Sequence, residues 1–136
     1  LRKELNDIVV NEIDAVQNLL AALEKQYSCL VKSDAIVLEG CVKEIEECNK
    51  NIAAWEMKRR GLTQGRAMSE IINEIGDSEL EDNYRKIRIL LEEVQLQKDT
   101  NDLLIKQGLG YTSRLLSILN PSRAPKTYNA NGKVYK

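Results

Sequence analysis

Residues 5–30 read LNDIVVNEIDAVQNLLAALEKQYSCL. Leu5, Val9, Val16, Leu20, Leu23, Tyr27 and Leu30 recur there at steps of three, four or seven, which keeps them on one face of an α-helix. Glu4, Asp7, Glu12, Asp14, Glu24 and Lys25 occupy the remaining arc. A long helix with one apolar face must bury that face against other elements, so the reading of this stretch sets what the rest of the chain has to supply.

Working outward, Ser33 and Asp34 offer N-cap oxygens, and the apolar pattern restarts through Leu38, Cys41, Val42, Ile45, Cys48, Ile52 and Trp55. This predicts a second long helix running to about Arg60. Gly61 and Gly65 bracket a helix stop and turn. Arg66 to Ile75, with Ala67, Met68, Ile71, Ile72 and Ile75 at helical spacing, predicts a short third helix. Gly76 and Asp77 interrupt it, and Ser78 with Glu81 has the spacing of a capping box. The last helix starts there. Its apolar face runs Leu80, Tyr84, Ile87, Leu91 and Val94, crosses a polar waist at Gln97, Lys98 and Asn101, and resumes at Leu104, Ile105, Leu109, Tyr111, Leu115, Ile118 and Leu119. Gly108 and Gly110 lie inside that helix and each costs roughly 1 kcal/mol relative to alanine.

After Asn120 come Pro121, Pro125, Asn129, Asn131 and Gly132 with four cations and no acid. The pattern predicts an all-α fold: an elongated antiparallel helical bundle over residues 1–120, made of three long helices plus one short helix, and a flexible basic C-terminal tail over 121–136.

Composition supports this and excludes much else. The chain has 136 residues, which suits a single core. Phe is absent, and both prolines, Pro121 and Pro125, follow the last helix. The net charge is −1, and subtracting the tail's four positive charges leaves the helical part at about −5, a poor match to a nucleic-acid backbone. Cys41 and Cys48 are two helical turns apart, roughly 10 Å, too far for a disulfide, so the three cysteines read as reduced cytosolic thiols. No apolar run approaches the roughly twenty residues of a bilayer span, and no charged-then-apolar leader opens the chain, so a cytoplasmic protein is expected.

Histidine is wholly absent, which removes the commonest general base and metal ligand and the Glu-x-x-His pairs of di-metal bundles. The cysteines lack C-x-x-C spacing, and the glycines around Gly108 and Gly110 lack a Gly-Lys-Ser/Thr ending. No enzyme activity, metal or cofactor is expected. Lys58, Arg59 and Arg60 suggest either a ligand site or, more simply, cations complementing a helix C-terminus. Trp55, the single tryptophan, fits core packing better than recognition.

One segment is more specific. Asn101, Leu103-Leu104-Ile105, Gln107, Leu109, Tyr111, Leu115-Leu116 and Leu119 lead through a proline-bearing linker to Thr127-Tyr128-Asn129-Ala130-Asn131-Gly132. This resembles the C-terminal signature of the FlgN family of flagellar type III export chaperones, in which an Asn and a paired-Leu helix precede a Tyr-Gly-x-x-Gly-like turn. Asn129 replaces the first glycine, a mild change because Asn tolerates positive φ. Upstream the likeness is in order but looser, including a second helix that ends in Arg59 and Arg60.

The resemblance implies a cytosolic chaperone that binds the terminal helices of hook-filament junction proteins, prevents their premature assembly and delivers them to the cytoplasmic domain of the flagellar export gate. It nominates Leu104, Ile105, Leu109, Tyr111, Leu115, Leu116 and Leu119 for substrate contact in a helix-in-groove mode, or else for closing this bundle's own core. Tyr128 corresponds to the family's tail tyrosine, linked to gate docking. A monomer or weak homodimer is expected. The competing readings are a structural coiled-coil module of a larger assembly with no export role, and a bundle that holds a small apolar ligand between its helices.

Overall fold

The computed structural model describes residues 1–32, 35–119, 127–128 and 134–135, with side chains described as far as residue 108 (Ser33 to Ala35 apart) and again at Ile118. In chain order the elements are α1 (Arg2–Lys32), α2 (Ala35–Thr63), α3 (Met68–Ile75), α4 (Ser78–Leu119), β1 (Thr127–Tyr128) and β2 (Val134–Tyr135). The chain divides into two compact units, Leu1–Asn101 and Asp102–Lys136, and α4 contributes to both. Three long helices and one short one are therefore present as the periodicity predicts. The capping role assigned to Ser33 and Asp34, and most of the tail, lie outside the described residues.

Several helix ends differ from the reading of the sequence. α2 continues through Gly61 to Thr63, and the turn is made instead by Gln64 and Gly65, whose φ values of 53° and 76° are left-handed. A glycine at the second position removes the steric cost there. α3 starts two residues later than expected and ends at Gly76, whose φ of 66° lets its N–H reach the Ile72 carbonyl. The N-cap of α4 is Asp77, one residue before Ser78: its carboxylate accepts the backbone N–H groups of Glu79 and Leu80. Asn6 Nδ2 on α1 also donates to Asp77 Oδ2 at 2.8 Å, so the cap ties α4 to the start of α1. That bond first, and the two backbone donors after it, hold the Asp77 carboxyl below its ordinary range.

Within the 1–101 unit, cross-helix pairs fix direction. Glu12 meets Arg59, Lys25 meets Glu44 and Cys29 meets Cys41, so numbers fall on α2 as they rise on α1 and these helices are antiparallel. Asn6 meets Asp77 while Leu23 and Gln26 meet Asn101, so α1 and α4 run parallel. This is the up-down-up course of consecutive long helices with short connections.

Leu38, Cys41, Ile45, Cys48, Ile52, Trp55, Arg59 and Leu62 of α2 face inward in alternating steps of three and four, with Glu56 and Thr63 beside them at its C-terminal end. That is the narrow seam of a coiled coil, and Val42, expected on the apolar face, is exposed beside it. On α1 a stripe of Ala15, Ala22 and Cys29 at heptad intervals is buried. Extending the Cys29–Cys41 pairing by seven residues places Ala22 opposite Cys48 and Ala15 opposite Trp55. Small side chains opposite larger ones let the two helices lie close.

The second seam joins α1 to α4. Leu5, Val9 and Ile13 cluster with Leu80 and Ile87 and with Met68, Ile71 and Ile72 of α3, which covers that end. Val16, Leu19 and Leu23 cluster with Val94, and Leu90 touches both clusters. Leu91, assigned to the core from sequence, is exposed, and Leu90 takes its place. The heptad step, not the 3.6-residue average, selects between the two neighbours.

The Lys58-Arg59-Arg60 run is absorbed by the bundle. Lys58 Nζ sits 4.2 Å over the Trp55 ring, Arg59 Nε donates to Glu12 Oε1 at 2.8 Å, and Arg60 pairs with Glu56 on its own helix. Glu12 is buried at a heptad position between Leu5 and Leu19. Burial pushes its carboxyl up, and the charge and hydrogen bond of Arg59 pull it partly back. Arg59→Met strands that carboxylate and is expected to cost about 2–3 kcal/mol near neutral pH, below the 3–5 kcal/mol of a fully buried pair because Arg59 is partly wet. An acid whose pKa is raised on folding favours the fold at low pH and opposes it once the pH rises through the folded value. The deficit, read from urea midpoints, should therefore shrink from about pH 8 to about pH 5. A deficit that grows on acidification would contradict this.

Candidate protein-binding site

α4 carries one heptad series through the 1–101 unit. Leu80, Ile87, Val94 and Asn101 are seven residues apart and all buried. Their partner positions Leu90, Gln97 and Leu104 are half-buried on the same stripe. The series thus passes from aliphatic to polar at its fourth step, where Asn101 is only 1% exposed. Its Nδ2 donates to the Leu23 carbonyl and to Gln26 Oε1, each at 2.9 Å, and its Oδ1 accepts from Gln97 Nε2 at 3.1 Å. Every polar atom of the amide is engaged. A buried Asn at a heptad position fits one register and no other, because any slip leaves its amide unsatisfied.

Past Asn101 the helix continues for eighteen residues to Leu119. Of the nominated contact residues, Leu104 lies half-buried on the stripe and Ile105 beside it is 37% exposed. Leu109, Tyr111, Leu115, Leu116 and Leu119 are all helical, and their side chains lie outside the described residues. Helical register puts positions 108, 111, 115 and 118 on the continuation of the stripe. Ile118, the last of these, is 75% exposed. Leu103 is 57% exposed off the stripe. Leu103 and Ile118 are apolar surface that the nominated set omitted, although Leu103 belongs to the quoted Leu-Leu-Ile triplet.

Tyr128, nominated for docking, lies in β1 and pairs with Val134 of β2, as Thr127 pairs with Tyr135, in antiparallel register. The tail's two short strands, five residues apart in sequence, are thus brought together.

The clefts on the 1–101 unit offer a different surface. One is lined by Arg2, Lys3, Asn6, Asp7, Asp77 and Glu79. Another holds Arg59, Arg60 and Arg66, the last tied to Glu74. A third, between α3 and α4, sets Ile72 and Tyr84 beside Glu81, Arg85 and Arg88. Among the described residues no group of Cys, Asp and Glu is arranged to hold a metal ion. No described helix is long and apolar enough to cross a membrane.

A family profile described as FlgN protein matches residues 1–136, the whole chain. The chain belongs to the FlgN family. No curated protein and no solved structure gives a match. FlgN membership makes this a flagellar export chaperone, of a family that works by binding flagellar proteins and not by catalysis. The Asn of the FlgN-like signature, Asn101, is the last of the described residues of α4 that is buried.

Asn101→Ala removes the amide and leaves a small void, which is expected to lower the unfolding free energy by about 2 kcal/mol in urea titrations. Asn101→Asp should cost more, because a carboxylate then faces the Leu23 carbonyl where a donor stood. An Asp variant as stable as wild type would show that the amide does not hold α4 on α1.

Proposed function

We propose that this FlgN-family chain is a cytoplasmic chaperone for hook-filament junction proteins, whose terminal helices it holds against residues 102–119 of α4. By masking those helices it prevents their premature assembly, and it then delivers them to the cytoplasmic domain of the flagellar export gate. Leu104, Ile105, Leu109, Tyr111, Leu115, Leu116 and Leu119 are the contact set, extended here by Leu103 and Ile118. The working division is a helical bundle over residues 1–120 and a basic tail over 121–136 that carries Tyr128 as the gate-docking residue.

The observation that carries the reading is the fate of the α4 seam. Up to Asn101 the stripe is buried by α1, and at Ile118, in the same helical register, it is 75% exposed. A heptad stripe with an exposed apolar residue at its last described position suits one half of a helix-in-groove interface, and a junction protein's terminal helix supplies the other half. Tyrosine on a short paired strand combines apolar area with a hydroxyl, which suits an interface. The reading takes the free protein as a monomer or weak homodimer. The competing account, a structural coiled-coil module, has the same stripe covered by further copies of the chain and requires strong self-association.

Calorimetric titration with a junction protein's terminal helical segment tests the proposal. Binding at about 1 µM or tighter is expected, about −8 kcal/mol, falling at least tenfold when Ile105 and Leu115 are changed to Asp. Tyr128→Ala should bind the segment unchanged and lose affinity for the gate's cytoplasmic domain. No binding by the intact chain, together with a stable oligomer in sedimentation, would replace the proposal with the coiled-coil module.

A further inference from the structure

Two thiols lie where the chaperone reading makes no use of them. Cys29 is in the last turn of α1 and Cys41 in the second turn of α2, and their Sγ atoms are 4.0 Å apart across the seam. Cys29 continues the α1 stripe on which Ala15 and Ala22 let the two helices lie close, and Cys41 faces it from α2. A disulfide needs the sulfurs at about 2.05 Å, so they must approach by roughly 2 Å, within reach of χ1 rotation of two unbranched side chains. Cys48 lies one heptad further along α2, about 10 Å from Cys41 and opposite Ala22, so it does not compete for either partner.

We propose that Cys29 and Cys41 form a two-thiol oxidation site, which a hydroperoxide converts into an intramolecular disulfide joining α1 to α2. Cys29 is 8% exposed and Cys41 1%, so Cys29 reacts first. Its thiolate attacks a peroxide oxygen; the O–O bond breaks, giving a sulfenic acid on Cys29 and releasing hydroxide, which takes up the displaced proton as water. The Cys41 thiolate then attacks the Cys29 sulfur. The S–S bond forms, the S–O bond breaks, and hydroxide leaves with the Cys41 proton as a second water. Two thiols and one hydrogen peroxide thus become one disulfide and two waters, with the two electrons passing from sulfur to oxygen.

The position of the pair sets its pace. Burial, and then the contact with Cys29, push the Cys41 thiol up, so Cys41 stays protonated in the closed seam. Reaction waits on opening of the last turn of α1, the part of a helix that opens most readily. Once formed, the bond closes a short loop within two turns of Leu23 and Gln26, the α1 groups that hold Asn101. Oxidation therefore suppresses fraying in the same part of α1 that anchors α4.

The full reduced chain, treated with millimolar hydrogen peroxide, tests this by intact mass, peptide mapping and thermal unfolding. The expected result is loss of two hydrogens, a crosslinked Cys29–Cys41 peptide, Cys48 still open to alkylation, and a Tm raised by on the order of 10 °C. Dithiothreitol should reverse both changes. C48S should behave as wild type, and C41S should stop at a Cys29 sulfenic acid that dimedone traps, with no rise in Tm. A crosslink that includes Cys48, a disulfide between two chains, or three free thiols after treatment would each overturn the proposal.

Discussion

The side-chain amide of Asn101 is the point on which the 1–101 unit turns. Held by the Leu23 carbonyl, Gln26 and Gln97, it locks the parallel register of α4 on α1. With that register set, Val94 falls among Val16, Leu19 and Leu23, and Ile87 among Leu5, Val9 and Ile13. Aliphatic contacts alone would tolerate a slip of one heptad, because Leu, Val and Ile fill similar space at every step. A fully engaged amide at one step does not. At the opposite end the Asn6–Asp77 bond makes the same choice of register and caps α4 as it does so.

α1 serves both of its neighbours with different chemistry. Toward α2 it offers Ala15, Ala22 and Cys29, which favour close approach, and toward α4 and α3 it offers Leu5, Val9, Ile13 and Val16, which fill a wider space. α2 needs only a narrow seam in return, so most of its surface remains in water. Within the 1–101 unit the three long helices and α3 thus enclose two apolar clusters of their own. A chaperone that holds helical segments needs a part that stays folded and a part that presents apolar helix to a partner.

Much of this was legible in the sequence because helical periodicity and capping are local. The three long helices, the short helix built around Ile71 and Ile72, and the start of α4 near Ser78 all follow from spacing and cap chemistry. What escaped depends on geometry between helices. Leu90 and Leu91 are equivalent to a pattern with a 3.6-residue period and are separated only by the 3.5-residue seam. Gly61 looked like a stop, but the left-handed φ falls at Gln64 and Gly65. Asp77 caps α4 by local chemistry that Ser78 next to it also offered, while its tie to Asn6, distant in sequence, depends on the α1–α4 packing. Asn101 was legible as a family signature and as a polar waist, yet its burial depends on where the Leu23 carbonyl lies. The same holds for Cys29, whose pairing with Cys41 needs the α1–α2 register.

The central claim is that α4 is divided at Asn101 into a segment that belongs to the chain's own core and a segment reserved for a partner helix. Hydrogen exchange of the intact chain, followed peptide by peptide with and without a junction protein's terminal segment, tests it most directly. The account predicts that amides of residues 102–119 gain protection on binding while those of α1 and of α4 before Asn101 keep the rates they had alone. Protection gained across α1 and α2, with residues 102–119 unchanged, would contradict it.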